Sequence, residues 1–471
     1  MSTALSPRSR TIALIVAGAF FMEQLDTTII ATAVPEIARA LAVEPLSLNL
    51  AMTAYILSLA AFVPISGKIA DRFGTRTVFA AATLIFTAAS FLCGIADSLE
   101  ALVAARVLQG LGGAMMAPIG RLIVLRSVSK SEMVEAMAWV LLPAMVAPVI
   151  GPALGGLITT YASWRWVFFI NIPLGLVALV LILTRIEQFR QEEPVRFDIP
   201  GFLLTALCFA SAAAGVEAIA HGLGGLNLAL GIFAVSGAAM VAYLLHARRR
   251  PQPVLDLSLL TVPTFRWSLV GGSVFRLSVG GLPFLLPVAF QLGFGYSALE
   301  GGLIVLVPAV GGLAMKAFST RILKTYGFRS SLIVSGFVCG VLLVGYAAMT
   351  VNWPLPAIAA VLLVFGLCRS LNMNAYGTVS YADVETPRMA AATSLFLTFQ
   401  NLSTGFGVAV AALAVRLAQG LAPEAAPVAH FSGAFALLAA ICFVSVGFSF
   451  LLERTAGDEV SGYAASRLAR R

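Results

Sequence analysis

Charged residues are scarce in this sequence. Asp, Glu, Lys and Arg make up only 11% of its 471 residues, and 59% are apolar. A soluble domain is about 25% charged, so a chain of this size lacks the polar residues to cover several water-facing domains. Apolar runs of about 20 residues, enough to cross a roughly 30 Å hydrocarbon core as a helix, follow one another almost end to end. The composition therefore excludes a soluble protein and predicts an all-α polytopic protein embedded in the lipid bilayer.

Residues for redox, metal or ATP chemistry are also few. The five cysteines lie inside apolar runs and form no C-x-x-C pair, so neither disulfides nor a metal site is predicted. The three histidines (His221, His246 and His430) lie at the ends of predicted spans and form no ligand cluster, and no G-x-x-x-x-G-K-[ST] loop occurs. No cofactor is expected, and the pattern argues against a membrane enzyme or an ATP-driven pump.

Fourteen spans are predicted from apolar runs bounded by charge, Gly or Pro. They lie near residues 11–33, 47–66, 77–96, 100–120, 135–158, 165–183, 199–219, 226–246, 267–291, 299–318, 330–349, 355–378, 390–416 and 431–452. The first run could also be read as a secretory signal with a cleavage site at Ala31-Thr32-Ala33. Glu23 and Asp26 inside that run, and the many spans after it, favour an uncleaved first helix.

The net charge of +8 is interpreted as a topology signal. With both termini in the cytoplasm, 24 of the 30 Lys and Arg residues fall in cytoplasmic loops, tails and their flanks. The outer side keeps Arg39, Arg165 and Arg416, and Arg106, Arg276 and Arg369 lie within spans. Because short cytoplasmic loops retain Lys and Arg, both termini are predicted inside. The basic excess then requires no nucleic-acid partner.

The chain repeats one of its loops. Residues 67–76, after the second span, and residues 320–329, after the tenth, both end in an aromatic-Gly-x-Arg pattern. Each loop is the second junction of a six-helix set, which predicts six helices, two inserted helices and six more. The predicted domains are an N-terminal bundle (1–184), an inserted pair (185–250) and a C-terminal bundle with its tail (251–471). Duplicated helix sets are typical of secondary transporters.

Several motifs resemble the major facilitator superfamily and, within it, the 14-helix drug:proton antiporter family. Gly67-Lys68-Ile69-Ala70-Asp71-Arg72-Phe73-Gly74 is similar to the superfamily's loop motif after helix two, Arg106-Val107-Leu108-Gln109-Gly110 to its helix-four motif, and Gly151-Pro152-Ala153-Leu154-Gly155-Gly156 to its helix-five antiporter motif. Leu25-Asp26-Thr27-Thr28-Ile29-Ile30 and the segment 164–175 look like signatures of the 14-helix branch. Thr75, Ala147 and Lys324 depart from the motifs.

The resemblance implies a fold, a function and partners. The fold is the major facilitator fold, with two six-helix bundles and two inserted helices. The function is export of a small lipophilic or amphipathic compound driven by protons, by alternating access, from a monomer in the bacterial inner membrane. An alternative stays open: export of an endogenous anionic metabolite or chelator, because three intramembrane arginines outnumber two deep acids.

Asp26 and Arg106 are the predicted proton-coupling residues. Each lies about 10 Å inside the outer end of its span, and charges at that depth usually face a cavity or a partner. The alternative is a structural ion pair between helices one and four. Glu23 lies one turn before Asp26 and either shares a proton with it or satisfies a polar group on a neighbouring helix. Gln109, one turn after Arg106, is predicted with Asp26 as a substrate contact.

Arg276 and Arg369 are predicted substrate contacts in the second half, together with Asn372. By the repeat plan, spans nine and twelve correspond to spans one and four, which line the cavity in the superfamily. Either arginine could bind an anionic substrate group, or could neutralise Asp26 or Glu23.

Two segments are predicted to gate the cycle. Gly67, Asp71, Arg72 and Gly74 belong to a loop that could latch one closed state, the alternative being plain retention of basic charge. Span five is the second segment. Pro148 and Pro152 would bend it, and Gly151 and Gly155 would let a neighbouring backbone approach, the alternative being tight packing alone.

Overall fold

A computed structural model describes residues 5–129, 132–190, 198–221, 225–250 and 253–458. Its long helices are α1 (Pro7–Ile29), α2 (Asn49–Phe73), α3 (Thr75–Ile95), α4 (Leu99–Ser127), α5 (Met133–Tyr161), α6 (Asn171–Arg185), α7 (Ile199–His221), α8 (Gly225–Ala247), α9 (Pro263–Val279), α10 (Ala298–Ala347), α11 (Leu355–Val379), α12 (Met389–Leu421) and α13 (Pro427–Ser449). Most bounds lie within a few residues of the predicted apolar runs, because about 20 apolar residues are what a membrane-spanning helix requires. Helices α2 and α4 each continue seven residues past the predicted end, and the predicted span 267–291 consists of α9 and a short helix over Leu282–Val288.

Helix α10 contains two of the predicted spans. Thirteen helices in the described ranges are long and apolar enough to cross a membrane, and α10, at 50 residues, is one of them. Gly327 interrupts it with φ 75° and ψ 170°, a conformation that glycine adopts without a steric penalty. The sequence predicts a loop here, but helix runs on both sides of Gly327 without a gap. The arms 298–326 and 328–347 bring the number of spans to fourteen, so the predicted all-α fold class is confirmed.

The chain forms two compact units. The first comprises Met1–Ala210, Val235–Val254 and Ser297–Leu303, and the second comprises Ser211–Ala234, Leu255–Tyr296 and Ile304–Arg471. The inserted helices α7 and α8 contribute to both. The predicted boundaries at 184/185 and 250/251 stay a prediction.

In the first unit, α1 and α5 pack closely through glycines. A Cβ atom at Gly151 would lie 2.2 Å from Thr28 Oγ1, and one at Gly155 would lie 2.3 Å from the Ile29 carbonyl oxygen. Small residues at this spacing let two helix backbones approach inside a membrane. The glycines of the predicted helix-five motif therefore set the distance between α5 and the helix that carries Asp26.

Glu132 fixes the start of α1 to the start of α5. Its carboxylate accepts a hydrogen bond from the backbone N–H of Ser6 at 2.6 Å and from the Ser9 hydroxyl at 2.9 Å. These donors, with the Ser129 hydroxyl, hold the pKa of Glu132 at about 2, well below its usual value. A carboxylate at this position also suits the positive end of the α1 dipole.

Asp198 joins the two inserted helices where they meet. Its Oδ1 atom caps α7 by accepting from the Gly201 backbone N–H at 3.1 Å, and it lies 2.6 Å from His246 Nε2 near the end of α8. Burial raises the pKa of Asp198, but the hydrogen bonds from His246 and Gly201 lower it by a larger amount. The pKa of Asp198 therefore lies below its usual value. One carboxylate thus holds the beginning of α7 to the end of α8.

We expect Gly155→Ala to destabilise the first unit by about 1–3 kcal/mol, the range for adding a methyl group to a packed core. The added atom meets a backbone carbonyl, which no side-chain rotation can relieve. The thermal unfolding midpoint of the purified protein measures the effect. The matched control is Gly18→Ala, because a Cβ at Gly18 in α1 meets nothing within 4 Å. Equal midpoints for the two variants would contradict the close approach of α5 to α1.

Candidate functional site: a buried charge network in the first unit

Asp26 of α1 and Arg106 of α4 form a buried ion pair. Arg106 Nη1 lies 2.5 Å from Asp26 Oδ2, and the side chains are 1% and 0% exposed respectively. The structure thus brings together the two residues that the sequence predicts for proton coupling. Two charges removed from water are stable only with good geometry and further hydrogen bonds, so the surrounding donors matter.

Two amide side chains complete the hydrogen bonding of Asp26. Its Oδ1 atom accepts from Gln109 Nε2 at 2.7 Å and from Asn171 Nδ2 at 2.8 Å. Gln109 Nε2 also donates to Ser90 Oγ at 2.8 Å, and Gln109 Oε1 accepts from Arg106 Nη1 at 2.6 Å. Every one of these side chains is buried. An ionised carboxylate is an acceptor only, and here three donors from α4 and α6 match it.

The helix-four motif explains how Arg106 is held. A three-residue spacing places Arg106 and Gln109 on one face of α4. The Arg106 guanidinium lies 4.2 Å from the centre of the Tyr55 ring of α2, in cation–π geometry. A Cβ at Gly110 would lie 2.6 Å from the Tyr55 carbonyl oxygen, and one at Gly112 would lie 2.8 Å from the Ala82 carbonyl oxygen. The motif's glycines therefore admit α2 and α3 to the site.

Glu23 lies one turn before Asp26 and is buried. Its Oε2 atom has no hydrogen-bond partner among the residues that the structure describes. This oxygen atom therefore does not make the hydrogen bond to a neighbouring helix that one interpretation expects. A buried carboxylate oxygen without a donor is costly, which makes Glu23 chemically unlike its fully bonded neighbour Asp26.

The predicted residues of the second unit have different surroundings. The Arg276 guanidinium lies 5.1 Å from the centre of the Phe396 ring, and its Nε atom has no hydrogen-bond partner in the described ranges. The groups that act electrostatically on Arg369 within its unit are Tyr346 and Cys339 rather than a carboxylate. Both arginines lie on the predicted helices, α9 and α11, and neither is paired with an acid of the described second unit.

Asn372 of α11 is occupied by a helix contact. Its Nδ2 atom donates to the Leu332 carbonyl at 3.1 Å and to Ser335 Oγ at 3.0 Å, which joins α11 to the second arm of α10. Its Oδ1 atom is buried without a partner among the described residues. Only this oxygen is left for the substrate contact that the sequence predicts.

The predicted loop 67–76 is helical except at Gly74, where α2 ends and α3 begins, and it is attached to its surroundings at two points. Asp71 Oδ1 lies 3.3 Å from Arg126 Nη2 of α4. Gly74 has φ +89°, which disfavours any side chain, and a Cβ there would also meet Gln188 at 2.2 Å. Arg72 is exposed and lies against the Phe73 ring, and Gly67 has open space around it. Of the four predicted loop residues, Asp71 and Gly74 make the specific contacts.

Gln188 connects this loop to the chain that follows α6. Its Nε2 atom donates to the Phe73 carbonyl at 3.2 Å and to Thr77 Oγ1 at 2.8 Å. The neighbouring backbone adds a bond from the Thr75 N–H to the Phe189 carbonyl at 2.9 Å. The loop motif is thus fixed to the segment that leads to the inserted helices.

The predicted helix-five residues lie on one continuous helix. Pro148 is half-buried, Pro152 is buried, and α5 runs unbroken from Met133 to Tyr161. Gly151 and Gly155 are the points of contact with α1. A directional role for this helix stays a prediction.

Sequence reasoning missed several partners in the site. Asn171 and Trp164 stand in the quoted segment 164–175, yet the hydrogen bond from Asn171 to Asp26 was not foreseen. Ser90, Tyr55, Arg126 and Gln188 carry no motif signal at all. The only available signal was the presence of Asn171 in a span whose other residues are almost all apolar, since an amide in a membrane is expected to find a partner.

Comparisons with known protein sequences identify the family to which this chain belongs. Residues 16–408 match the sequence profile of the Major Facilitator Superfamily. A Salmonella paratyphi B protein named "Putative multidrug resistance protein MdtD" is 37% identical over 403 residues, which cover 85% of each chain. A protein of the same name from Salmonella heidelberg is equally similar.

Solved structures share the fold at low sequence identity. A bacterial homologue of the human lysosomal transporter Spinster superposes with a TM-score of 0.68 at 15% identity, over 96% of this chain and 98% of that one. A D-xylose-proton symporter gives a TM-score of 0.68 at 14% identity, over 95% and 98%. The helical architecture is that of a multi-pass membrane protein. The chain belongs to the major facilitator superfamily, and it is therefore a carrier of small molecules and not an enzyme.

A double-mutant cycle tests the ion pair. We expect Arg106→Ala and Asp26→Ala each to lower the free energy of unfolding by about 3–5 kcal/mol, because each leaves a buried charge without its partner. The double variant should be less destabilised than the sum of the two. Reversible denaturation of the purified protein measures all three. The exposed pair of Arg39 and Glu36 is the control, and Arg39→Ala should cost about 1 kcal/mol or less. Strict additivity at Asp26 and Arg106 would contradict the pair.

Proposed function

We propose that this protein is a proton-coupled exporter of lipophilic or amphipathic compounds that works by alternating access. The observation that carries the proposal is the buried Asp26 carboxylate, which is joined to Arg106, Gln109 and Asn171. The similarity to proteins named for multidrug resistance supports the class of cargo. The protein works as a single chain in the bacterial inner membrane, with both termini in the cytoplasm.

Protonation of Asp26 would rearrange this network. The neutral acid loses its charge and gains a donor in place of an acceptor position. Arg106 is then a buried charge without a counter-ion, which is unfavourable by several kcal/mol, and one amide must turn away. The helices α1, α4 and α6 therefore have two preferred arrangements, and the proton selects between them. This is the coupling that a proton-driven transporter requires.

Glu23 gives the site a second acidic group. It lies on the same face of α1 as Asp26, and its oxygen without a hydrogen-bond partner suits a second proton or a cationic group of the cargo. A cationic cargo that binds beside Glu23 would also disfavour the proton on Asp26. Cargo and proton would then compete, which is the basis of exchange in opposite directions.

Two other segments take part in the proposed cycle. The ion pair between Asp71 and Arg126 holds the loop 67–76 to α4, and it would break when the helices change arrangement. The contact of Gly151 and Gly155 with α1 would transmit movement between α5 and the Asp26 network. In this proposal the loop is a latch and α5 is a gate.

A second candidate function is the export of an organic anion. Arg276 and Arg369 lie within spans. Among the described residues of their unit, no carboxylate is the partner of either arginine. Buried charges in transporters usually mark a substrate path. An anionic group of the cargo could be the partner of one or both arginines.

Proton transport in proteoliposomes tests the main proposal. Purified protein is reconstituted with a pH-sensitive dye inside, and lipophilic cations, neutral drugs and organic anions are added across an imposed proton gradient. We expect cargo-dependent proton movement, and we expect Asp26→Asn to abolish it because the amide cannot take up the proton. The matched control is Asp97→Asn, which changes an exposed loop carboxylate. Undiminished transport by Asp26→Asn would remove Asp26 from the mechanism, and a response to anions alone would favour the second candidate.

Kinetics of loop variants test the latch. We expect Asp71→Asn to reduce the maximal transport rate about threefold to tenfold with little change in apparent cargo affinity, the effect of a barrier change of about 1 kcal/mol. The charge swap Asp71→Arg with Arg126→Asp should recover part of the rate because it restores the pair. A change in apparent affinity alone, or no recovery in the swap, would show that this pair is not a latch.

A further inference from the structure

The second unit contains an apolar cavity beside the interruption of α10. Its volume is about 300 Å³, and its lining comes from both arms of α10 and from α11. The lining residues are Ile322, Tyr326, Ser330, Ser331, Val334, Ser335, Val338, Cys368 and Leu371. This volume reaches the lower end of the range for ligand pockets. None of these residues belongs to the site proposed for protons and cargo.

Most of the cavity lining follows the second arm of α10. Five of its residues, from Ser330 to Val338, follow one another at intervals of one and three along the second arm of α10, so they form one face of that helix. With a rise of 1.5 Å per residue, this face extends about 12 Å from near the loop at Gly327 toward the middle of the bilayer. A face of this length matches the length of part of one hydrocarbon chain.

Two of the three lining serines direct their hydroxyl hydrogens to the helix backbone rather than to the cavity. The Ser331 hydroxyl donates to the Gly327 carbonyl at 2.7 Å, and the Ser335 hydroxyl donates to the Ser331 carbonyl at 2.6 Å. Both hydroxyl hydrogens are therefore used by the helix backbone. An apolar wall has no hydrogen bonds to offer water, and an unfilled cavity loses the packing energy of its lining. Binding of an apolar molecule in the groove would therefore be favourable.

The groove opens to the surroundings of the protein at Tyr326, one residue before Gly327, and at Val334, partway along the second arm of α10. Tyr326 is 60% exposed and Val334 is 62% exposed, although both line the cavity. The residues next to the mouth in sequence are basic: Arg321 precedes Ile322, Lys324 precedes Tyr326 by two positions, and Arg329 precedes Ser330. An apolar groove with basic residues at the membrane boundary complements an amphiphile with an anionic head.

We propose that this groove binds one acyl chain of an anionic phospholipid from the leaflet that the loop 320–329 faces, with the head group beside Arg321 and its basic neighbours. The interruption at Gly327 creates the site, because it separates the two arms of α10 there. A bound lipid would hold the arms in their present arrangement.

Cys368 makes the proposal directly measurable. It lines the groove and is the half-buried one of the five cysteines, the other four being buried. Detergent-purified protein is treated with a small membrane-permeant maleimide, and the peptide that contains Cys368 is quantified by mass spectrometry. Added phosphatidylglycerol should slow labelling about tenfold at roughly ten times its dissociation constant, because only the unoccupied fraction reacts. Phosphatidylcholine should slow labelling much less, and native mass spectrometry should show one retained phosphatidylglycerol.

Matched variants separate the groove from general lipid effects. Val338→Phe fills the deep end and should abolish the lipid-dependent slowing, whereas Val344→Phe, on an exposed position of the same arm, should leave it intact. Arg321→Gln should reduce the preference for phosphatidylglycerol, and Arg454→Gln, at an exposed position outside the groove, should not. Equal labelling with and without lipid, equal effects of the two Phe variants, or protection by a lipophilic cation but not by phospholipid would each overturn the proposal.

Discussion

A carboxylate and a guanidinium held together away from water are the constraint on which the first unit depends. At this depth in the membrane the Asp26–Arg106 pair has no solvent to complete its hydrogen bonds, so the protein must supply every donor. Gln109, Asn171 and the Tyr55 ring meet that requirement from α4, α6 and α2. The arrangement of these helices around α1 is therefore set by electrostatics as much as by apolar packing.

Close helix packing makes that convergence possible. Within a bilayer, apolar side chains gain little by leaving lipid for protein, so helices associate through small residues and interhelical hydrogen bonds. Gly110 and Gly112 bring α2 and α3 against α4, and Gly151 and Gly155 bring α5 against α1. Gly110 belongs to the motif that carries Arg106 and Gly112 follows it, whereas Gly151 and Gly155 belong to the helix-five motif. The motif spacing encodes one geometry in which polar groups meet and backbones touch.

The spans and the ion pair could be predicted from the sequence, but their neutral partners could not. Spans follow from runs of about 20 apolar residues, and a charge within such a run announces itself by its cost. Asn171 lies 145 positions after Asp26 in the chain, and Ser90 lies 81 positions before Asn171. Neutral polar residues at such separations give no comparable signal in the sequence. The sequence predicts Asn372 as a substrate contact because it lies close to Arg369, yet two of its hydrogen bonds join α11 to α10. The sequence also indicates a longer break at residues 320–329, because charged residues lie on both sides of Gly327, whereas in the structure the break between the two arms of α10 is a kink at Gly327.

Gln188 has a consequence for how a chain of twelve spans and a chain of fourteen are related. Its amide belongs to the connection between α6 and the inserted pair, but its hydrogen bonds go back to Phe73 and Thr77. The first part of that connection is structurally a component of the N-terminal bundle. A shortened chain made by removing α7 and α8 would have to retain residues up to about position 190. A cut directly after Arg185 would remove Gln188 and with it the hydrogen bonds that hold the backbone on both sides of Gly74.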